Sequence, residues 1–232
     1  MKKIGLLGGT SWTSTFGYYN FLNQGVHKIY GAFHSAPLFL YSIDYNNIKQ
    51  NYNMPDGWEK IPALLLAELK TLWQLPIDGF MICNNTLHKA YDILLKQDLI
   101  DVKLPIFHAL SLTAQKAKAK NYRKILLLGT SYTMQSDFFK NYFYQHNIDV
   151  VIPTIQEIST IQAMQTRLSV GQQTPEDFMF FENLLRQYHS QVDAIVLGCT
   201  ELPLAVPQQH DFCLLNPTQI QCEAALEFIT QS

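Results

Sequence analysis

Short apolar runs alternate with polar tips and longer helical stretches along the whole chain. Lys3 to Leu7, Pro37 to Ile43, Ile77 to Ile82 and Leu104 to Phe107 read as strands in the first half. Lys124 to Leu128, Val150 to Ile152, Val192 to Leu197 and Phe212 to Leu215 read so in the second. Continuous apolar runs ended by glycine or polar residues suit parallel strands covered on both faces. Between them, helical periodicity predicts helices at Tyr18 to Ile29, Pro62 to Leu75, Lys89 to Lys96 and Ser111 to Lys120. In the second half it predicts Ser136 to Gln145, Ser159 to Val170, Thr174 to Ser190 and Gln219 to Ile229, with a break at Gly171. Phe21, Leu22, Val26 and Ile29 form the apolar face of the first helix, and Pro62 is expected in the first turn of the second. Residues 46–57 are polar and read as a long loop at a strand end, a candidate lid or substrate loop. Strand and helix in alternation predict an α/β fold.

The alternation contains a repeat. Laying Asp78 on Asp193 pairs Ile77 with Val192, Met81 with Val196, Ile82 with Leu197, Cys83 with Gly198 and Asn84 with Cys199. Upstream of each lies a second matching pair: Lys3-Ile4-Gly5-Leu6-Leu7-Gly8-Gly9-Thr10-Ser11 and Lys124-Ile125-Leu126-Leu127-Leu128-Gly129-Thr130-Ser131. Two strand-plus-polar-tip signals in the same order at nearly the same separation indicate a duplicated α/β domain. The expected domains are residues 1–105 with 216–232, and residues 106–215. The last helix is expected to return to the first.

Composition narrows the class. The chain has 232 residues, 47% of them hydrophobic, 16% charged, and a net charge of −2. That is a core-forming protein without the basic footprint of nucleic-acid binding, so no nucleic-acid partner is expected. No apolar stretch reaches the ~20 residues of a membrane span, and no signal-peptide pattern opens the chain. The four cysteines, at 83, 199, 213 and 222, form no C-x-x-C pair, so neither a zinc site nor a disulfide framework is indicated. A cytoplasmic, reducing setting is expected, in which a reactive thiol persists.

Candidate chemistry lies at the strand tips, where open α/β sheets bind ligands. Cys199 follows the run Ala194 to Leu197 and precedes Thr200 and Glu201. Alone it reads rather as a small buried apolar residue; the second copy of the stretch makes it a candidate for chemistry. Gly8-Gly9-Thr10-Ser11 is either an anion-accepting turn or a strand-to-helix loop capped by a hydroxyl. It matches neither G-x-G-x-x-G nor G-x-x-x-x-G-K-S/T, so it does not single out a nucleotide. Cys83 lies one position before Asn84 and, by strand alternation, is expected to face the core.

Four stretches carry a resemblance to the aspartate/glutamate racemase family, the cofactor-independent amino-acid racemases. They are Gly5 to Trp12, Asn85-Thr86-Leu87-His88, Leu128 to Thr133 and Leu197 to Glu201. The resemblance implies two pseudo-symmetric three-layer α/β domains with mainly parallel sheets and an active site in the interdomain cleft. It also implies no cofactor, no pyridoxal phosphate, no metal, a small amino-acid or carboxylate substrate, and a homodimer. Such racemases typically place a cysteine on each side of the substrate Cα. One removes a weakly acidic proton and the other returns one to the opposite face. Donors at the strand tips hold the α-carboxylate as charge develops. By matching position, Cys199 is one such group and Asn84 stands where the other would be. Gly9, Thr10, Ser11, Asn85, Thr86, Thr130, Thr133, Thr200 and Glu201 line the substrate, with Cys83, His88 and Lys49 as further candidates. Each threonine could instead cap a helix. His88 either orients a polar group or caps its helix. Glu201 either hydrogen-bonds near the site, raising the Cys199 pKa, or stabilises a helix N-terminus.

Two departures bear on the reaction. Asparagine cannot act as an acid or base in the useful range, and the only cation of loop 46–57 is Lys49. The first reading is therefore an amino-acid racemase using Cys199. The alternatives are a single-cysteine decarboxylase or isomerase of the same fold, or a small-carboxylate binding protein.

Overall fold

The computed structural model describes residues 1–101, 103–169, 172–206 and 211–231. They fall into two compact units, Met1–Ala109 with Gln221–Ser232, and Leu110–Ile220.

The first unit opens with β1 (Ile4–Gly8), α1 (Trp12–Tyr30), β2 (Leu38–Ser42) and α2 (Asn46–Lys49). It continues with α3 (Gly57–Leu72), β3 (Gly79–Ile82) and α4 (Leu87–Lys96). The sheet order is β2-β1-β3, and both pairings are parallel. Every residue of β1 and β3 is buried, as the continuous apolar runs require. A core built from Leu7, Ile61, Leu65, Leu69, Phe80, Ile82 and Leu94 packs beside them.

Several boundaries depart from the sequence expectation. Helix α1 starts at Trp12 instead of near Tyr18, because the Ser11 hydroxyl accepts the Ser14 amide and Thr15 bonds back to the Ser11 carbonyl. The polar stretch 46–57 is not all loop. Asp44 accepts the Asn46 amide and buried Ile48 anchors one helical turn. Helix α3 begins at Gly57, so Pro62 lies inside it and not in its first turn. A side chain at Gly57 would sit 1.6 Å from the Asn51 carbonyl oxygen, so the chain needs glycine there. An interior proline costs about 3 kcal/mol. Burying Ile61, Leu65, Leu69 and Leu72, at roughly 1.5–3 kcal/mol each, outweighs it. Leu104 to Phe107 is not a strand: it makes a single parallel bridge, Ile106 to Phe80. Pro105 has no N–H to extend a ladder.

The second unit contains α5 (Ala109–Ala119), β4 (Lys124–Leu128), α6 (Ser131–Gln135), α7 (Asp137–Tyr144) and β5 (Asp149–Val151). After these come α8 (Ile155–Leu168), α9 (Pro175–His189), β6 (Ala194–Leu197) and β7 (Leu214–Leu215). Its sheet order is β5-β4-β6-β7, again parallel throughout. The expected turn after β4 winds into α6 because Thr130 accepts the Thr133 amide. Helix α8 starts four residues before the expected Ser159, since Thr154 and Glu157 form a capping box. The expected helix end at Val170 and break at Gly171 lie outside the described residues.

The repeat is visible in the backbone of each unit. Leu7 pairs with Ile82 in the first sheet and Leu128 with Leu197 in the second. One residue further, the Cys83 amide donates to the Leu7 carbonyl and the Gly198 amide to the Leu128 carbonyl. The two aspartates of the sequence alignment do matching work: Asp78 accepts the Lys3 amide, and Asp193 accepts those of Arg123 and Lys124. Each carboxylate closes the start of its unit's first strand.

The last helix, α10 (Pro217–Thr230), runs from the second unit into the first, where the Ile229 carbonyl accepts the Lys2 amide. Gln221, fully buried, donates its Nε2 to the carbonyls of Ile82 and Phe107. Among the described residues, no helix is long and apolar enough to cross a membrane.

Two expectations follow from these contacts. Asp193→Ala should lower stability by about 1–2 kcal/mol and Asp78→Ala by roughly half that, because one removes the acceptor of two amides and the other of one; urea unfolding midpoints measure both. The second concerns fully buried His88 at the start of α4, whose pKa lies well below the ordinary value through desolvation first and then the nearby His108. The unfolded chain therefore takes up the extra proton. The stability contribution is complete above about pH 6.5 and is lost as pH falls, by up to about 1.4 kcal/mol per unit. His88→Gln should flatten that slope in denaturation measured across mildly acidic pH.

Candidate active site

In the second unit, β6 delivers Cys199 at its carboxyl end. Gly198 is needed immediately before it, since a Cβ there would come within 2.8 Å of the Leu128 carbonyl oxygen. The thiol is 8% exposed and lies against the apolar core of the unit. Its Sγ stands 2.9 Å from Glu201 Oε2, and the Thr200 hydroxyl donates to the same oxygen at 2.8 Å. Glu201 is itself buried. The Cys199 pKa is pushed well above its ordinary value, by desolvation first and then by the Glu201 charge and hydrogen bond. The Glu201 amide and the Gln165 side chain act in the opposite sense. A thiol and a carboxylate in direct contact can pass a proton between them.

Glu201 caps no α-helix. It precedes a short 3-10 turn, Leu202–Leu204, without a side-chain cap bond there. Of the two uses the sequence allowed, the structure displays the contact with Cys199. Thr130 both caps α6 and touches the Thr133 hydroxyl at 3.0 Å. The Ser131 amide donates to Gln162 Oε1 at 2.8 Å.

The tips of the first unit are built differently. Gly9 has φ +87°, and a side chain there would collide with the Ile43 backbone. Its amide donates to Thr15 Oγ1 at 3.0 Å. Thr10 bridges the tips of β1 and β3, its hydroxyl donating to the Cys83 carbonyl at 3.0 Å. Ser11 caps α1. Cys83 is 1% exposed, and burial raises its pKa strongly.

Asn84 occupies the position equivalent to Cys199 and serves as a cap: its Oδ1 accepts the Leu87 amide at 2.9 Å. Thr86, at the N-cap position itself, makes no side-chain cap bond. His88 does not cap α4 through its own terminus. The Ala109 amide donates to Nε2 at 3.2 Å, so Nδ1 carries the proton and donates to the Asn84 carbonyl at 2.9 Å. The ring thereby orients the β3 tip. Asn85 is buried, whereas Lys49 is exposed at the end of α2. A cation that loop-based reasoning passed over is Lys89, whose Nζ lies 3.9 Å from the Trp58 ring centroid.

Among the described residues, no group of three or more His, Cys, Asp or Glu side chains could hold a metal ion. Sequence reasoning also missed Gln162 and Gln165. Glutamines on an amphipathic helix read as solvated surface, and one sequence contains no signal that separates these two from their neighbours.

Comparison with known proteins bears on the family and the fold. The model of the Asp/Glu/hydantoin racemase family matches residues 7–225. A glutamate racemase of Limosilactobacillus reuteri (strain DSM 20016) is 25% identical over 157 residues, 66% of this chain and 55% of that protein. The chain thus spans about half the length of the curated relatives it matches. A crystal structure from Yersinia pestis, described as a candidate Asp/Glu racemase, superposes with a TM-score of 0.87 at 31% identity and covers 100% of both chains. An aspartate racemase homologue from Pyrococcus horikoshii OT3 gives 0.84 at 26% identity, again over 100% of both. With a family match over nearly its whole length and these parallel α/β units, the chain belongs to the Asp/Glu/hydantoin racemase family.

Proposed function

We propose that the protein is an amino-acid racemase of the aspartate/glutamate type that works without pyridoxal phosphate, with Cys199 as its acid/base group. The observation that carries this reading is the 2.9 Å contact between the Cys199 sulfur and the Glu201 carboxylate at the tip of β6. Glu201 takes the thiol proton, and the thiolate then removes the Cα proton of a bound amino acid. The α-carboxylate is held by tip donors, for which Thr130 and Thr200 are the candidates in this unit and Thr10, Ser11, Asn85 and Thr86 those of the other. The substrate is a small amino acid, with aspartate and glutamate the first to test.

The contacts of Asn84 favour a second reading on the same site. Its side-chain oxygen is engaged with Leu87, an amide does not titrate usefully, and Cys83 is sealed in the core. A single thiol then exchanges the Cα proton on one face only, the chemistry of a one-base isomerase or decarboxylase. A carboxylate-binding protein would do neither.

Incubation in D₂O with a panel of amino acids, followed by NMR and chiral chromatography, tests these readings. Wild type should exchange Cα–H for at least one of them, and Cys199→Ala should lose about 10²–10⁴-fold of that rate. Inversion supports racemisation, and retention supports the one-face reaction. Asn84→Cys should increase inversion; an unchanged rate counts against an opposing role for that position. Absence of exchange with the whole panel overturns the enzyme reading.

A further inference from the structure

The sheet of the first unit ends on β2, and that edge is open. The Ile4 amide donates to the Pro37 carbonyl and the Ile43 amide to the Gly8 carbonyl, so the odd-numbered residues of the strand bond to β1. The amides and carbonyls of Leu38, Leu40 and Ser42 point the other way, and no described residue bonds to them. Every other sheet edge among the described residues is guarded. Segment 105–107 bonds to the amide and the carbonyl of Phe80 on β3, β5 has three residues and carries Asp149, and β7 has two. Strand β2 has five, Leu38–Ser42, and contains none of the lysine, proline or bulge that blunts an exposed edge. Beside it lies an aromatic stripe. Trp12, Phe16 and Tyr19 follow one another at i, i+4 and i+7 on α1 and are 77%, 64% and 46% exposed. Asn23, next on the stripe, accepts the Ala36 amide just before β2, so this face of α1 overlooks the open strand. Leu40, 46% exposed, flanks Gly8 together with Thr15 of α1, and so lies on the α1 face of the sheet. From Ile4 to Ile43 the only formal charge is Lys28, in a chain that is 16% charged.

We propose that β2 pairs with β2 of a second copy of this chain, antiparallel and centred on Leu40, joining the two first-unit sheets into one. The three outward residues are symmetric about Leu40, so a twofold axis there sets Leu40 opposite its own copy and Leu38 opposite Ser42. Each is then a hydrogen-bonded pair that exchanges an N–H and a C=O, which satisfies every outward group of the strand. The two copies of α1 come to lie on one face of the joined sheet, stripe towards stripe. At ~150–250 Å² per aromatic side chain, the three exposed rings offer roughly 400 Å², about half of the ~800 Å² that each partner contributes to a stable interface. Leu40 and the strand edge add to that area. A twofold contact is the same patch meeting itself, and an uncharged patch does so without like charges facing each other. No charge is present for a different protein to recognise, whereas the open edge and the stripe each complement their own copies. The pairing is independent of the reaction assigned to Cys199, and the failure of either reading leaves the other standing.

Light scattering on the full chain across the micromolar range tests the proposal. Wild type should have twice the mass of one chain. Leu40→Lys sets two like charges face to face at the axis, and Phe16→Glu places a charge in the stripe. Each should weaken the dimer at least about tenfold while circular dichroism and a cooperative melt show a folded protein. The register is read by crosslinking. Leu40→Cys should give a covalent dimer under mild oxidation, because the Cα atoms of a hydrogen-bonded pair lie ~5.5 Å apart, within disulfide range. Ser42→Cys should not join to itself, since its two copies stand about 13 Å apart in this register. Mass spectrometry of the linked peptides separates these bonds from any made by the native cysteines. A monomeric wild type, or a dimer that keeps its affinity in both charge variants, overturns the proposal. So does linkage of Ser42→Cys in preference to Leu40→Cys. Should a charge variant fail to fold, the crosslinking pair decides.

Discussion

In each unit the central strands are buried on both faces, so their amides and carbonyls find partners only in neighbouring strands. That requirement places Leu7 opposite Ile82 and Leu128 opposite Leu197, and it carries one step past each strand to the amides of Cys83 and Gly198. The first side chain released from the ladder is then Asn84 in one unit and Cys199 in the other. A one-residue slip would turn Cys199 into the position where a Cβ meets a backbone oxygen at 2.8 Å. Backbone satisfaction thus decides which side chain is available for chemistry.

The released thiol sits in opposing fields. Burial and the adjacent carboxylate keep it protonated, while the Glu201 amide and Gln165 favour its ionised form. A thiol that is buried and protonated is poorly reactive towards reagents in bulk solvent. Glu201 stands at hydrogen-bonding distance from the sulfur, and the Thr200 hydroxyl donates to the same carboxylate oxygen. Nucleophilic thiols, by contrast, have depressed pKa values.

The equivalent tip in the first unit is tied into its helix by hydrogen bonds. Asn84 caps α4, its carbonyl is held by His88, and His88 is held by the Ala109 amide. Burial of His88 keeps it neutral, so the tie persists as long as the ring stays unprotonated. The two tips thus share one backbone plan and carry different side-chain contacts. The family is shared with racemases, while Asn84 sets this chain apart from a two-thiol arrangement.

Much of this was legible from residue order alone. Buried strands show as continuous apolar runs, and the duplicated register shows as Asp78 over Asp193, because both are local patterns with a fixed period. Cys199 beside Glu201 was legible for the same reason: two residues apart on a tight turn, they have little freedom to separate. The capping of α4 by Asn84 in place of Thr86 depends on the path of the chain as it leaves β3. The bridge at Ile106 depends on Pro105 meeting Phe80. The orientation of Gln162 depends on Ser131, on another element altogether. Sequence by itself determined every observed strand, the register of the repeat and the residue each tip presents, while overcalling Leu104 to Phe107, since short-range sterics and burial leave few alternatives. Tertiary structure alone decided which polar partners meet those residues, since hydrogen bonds between distant segments exist only once the sheet and its helices have packed.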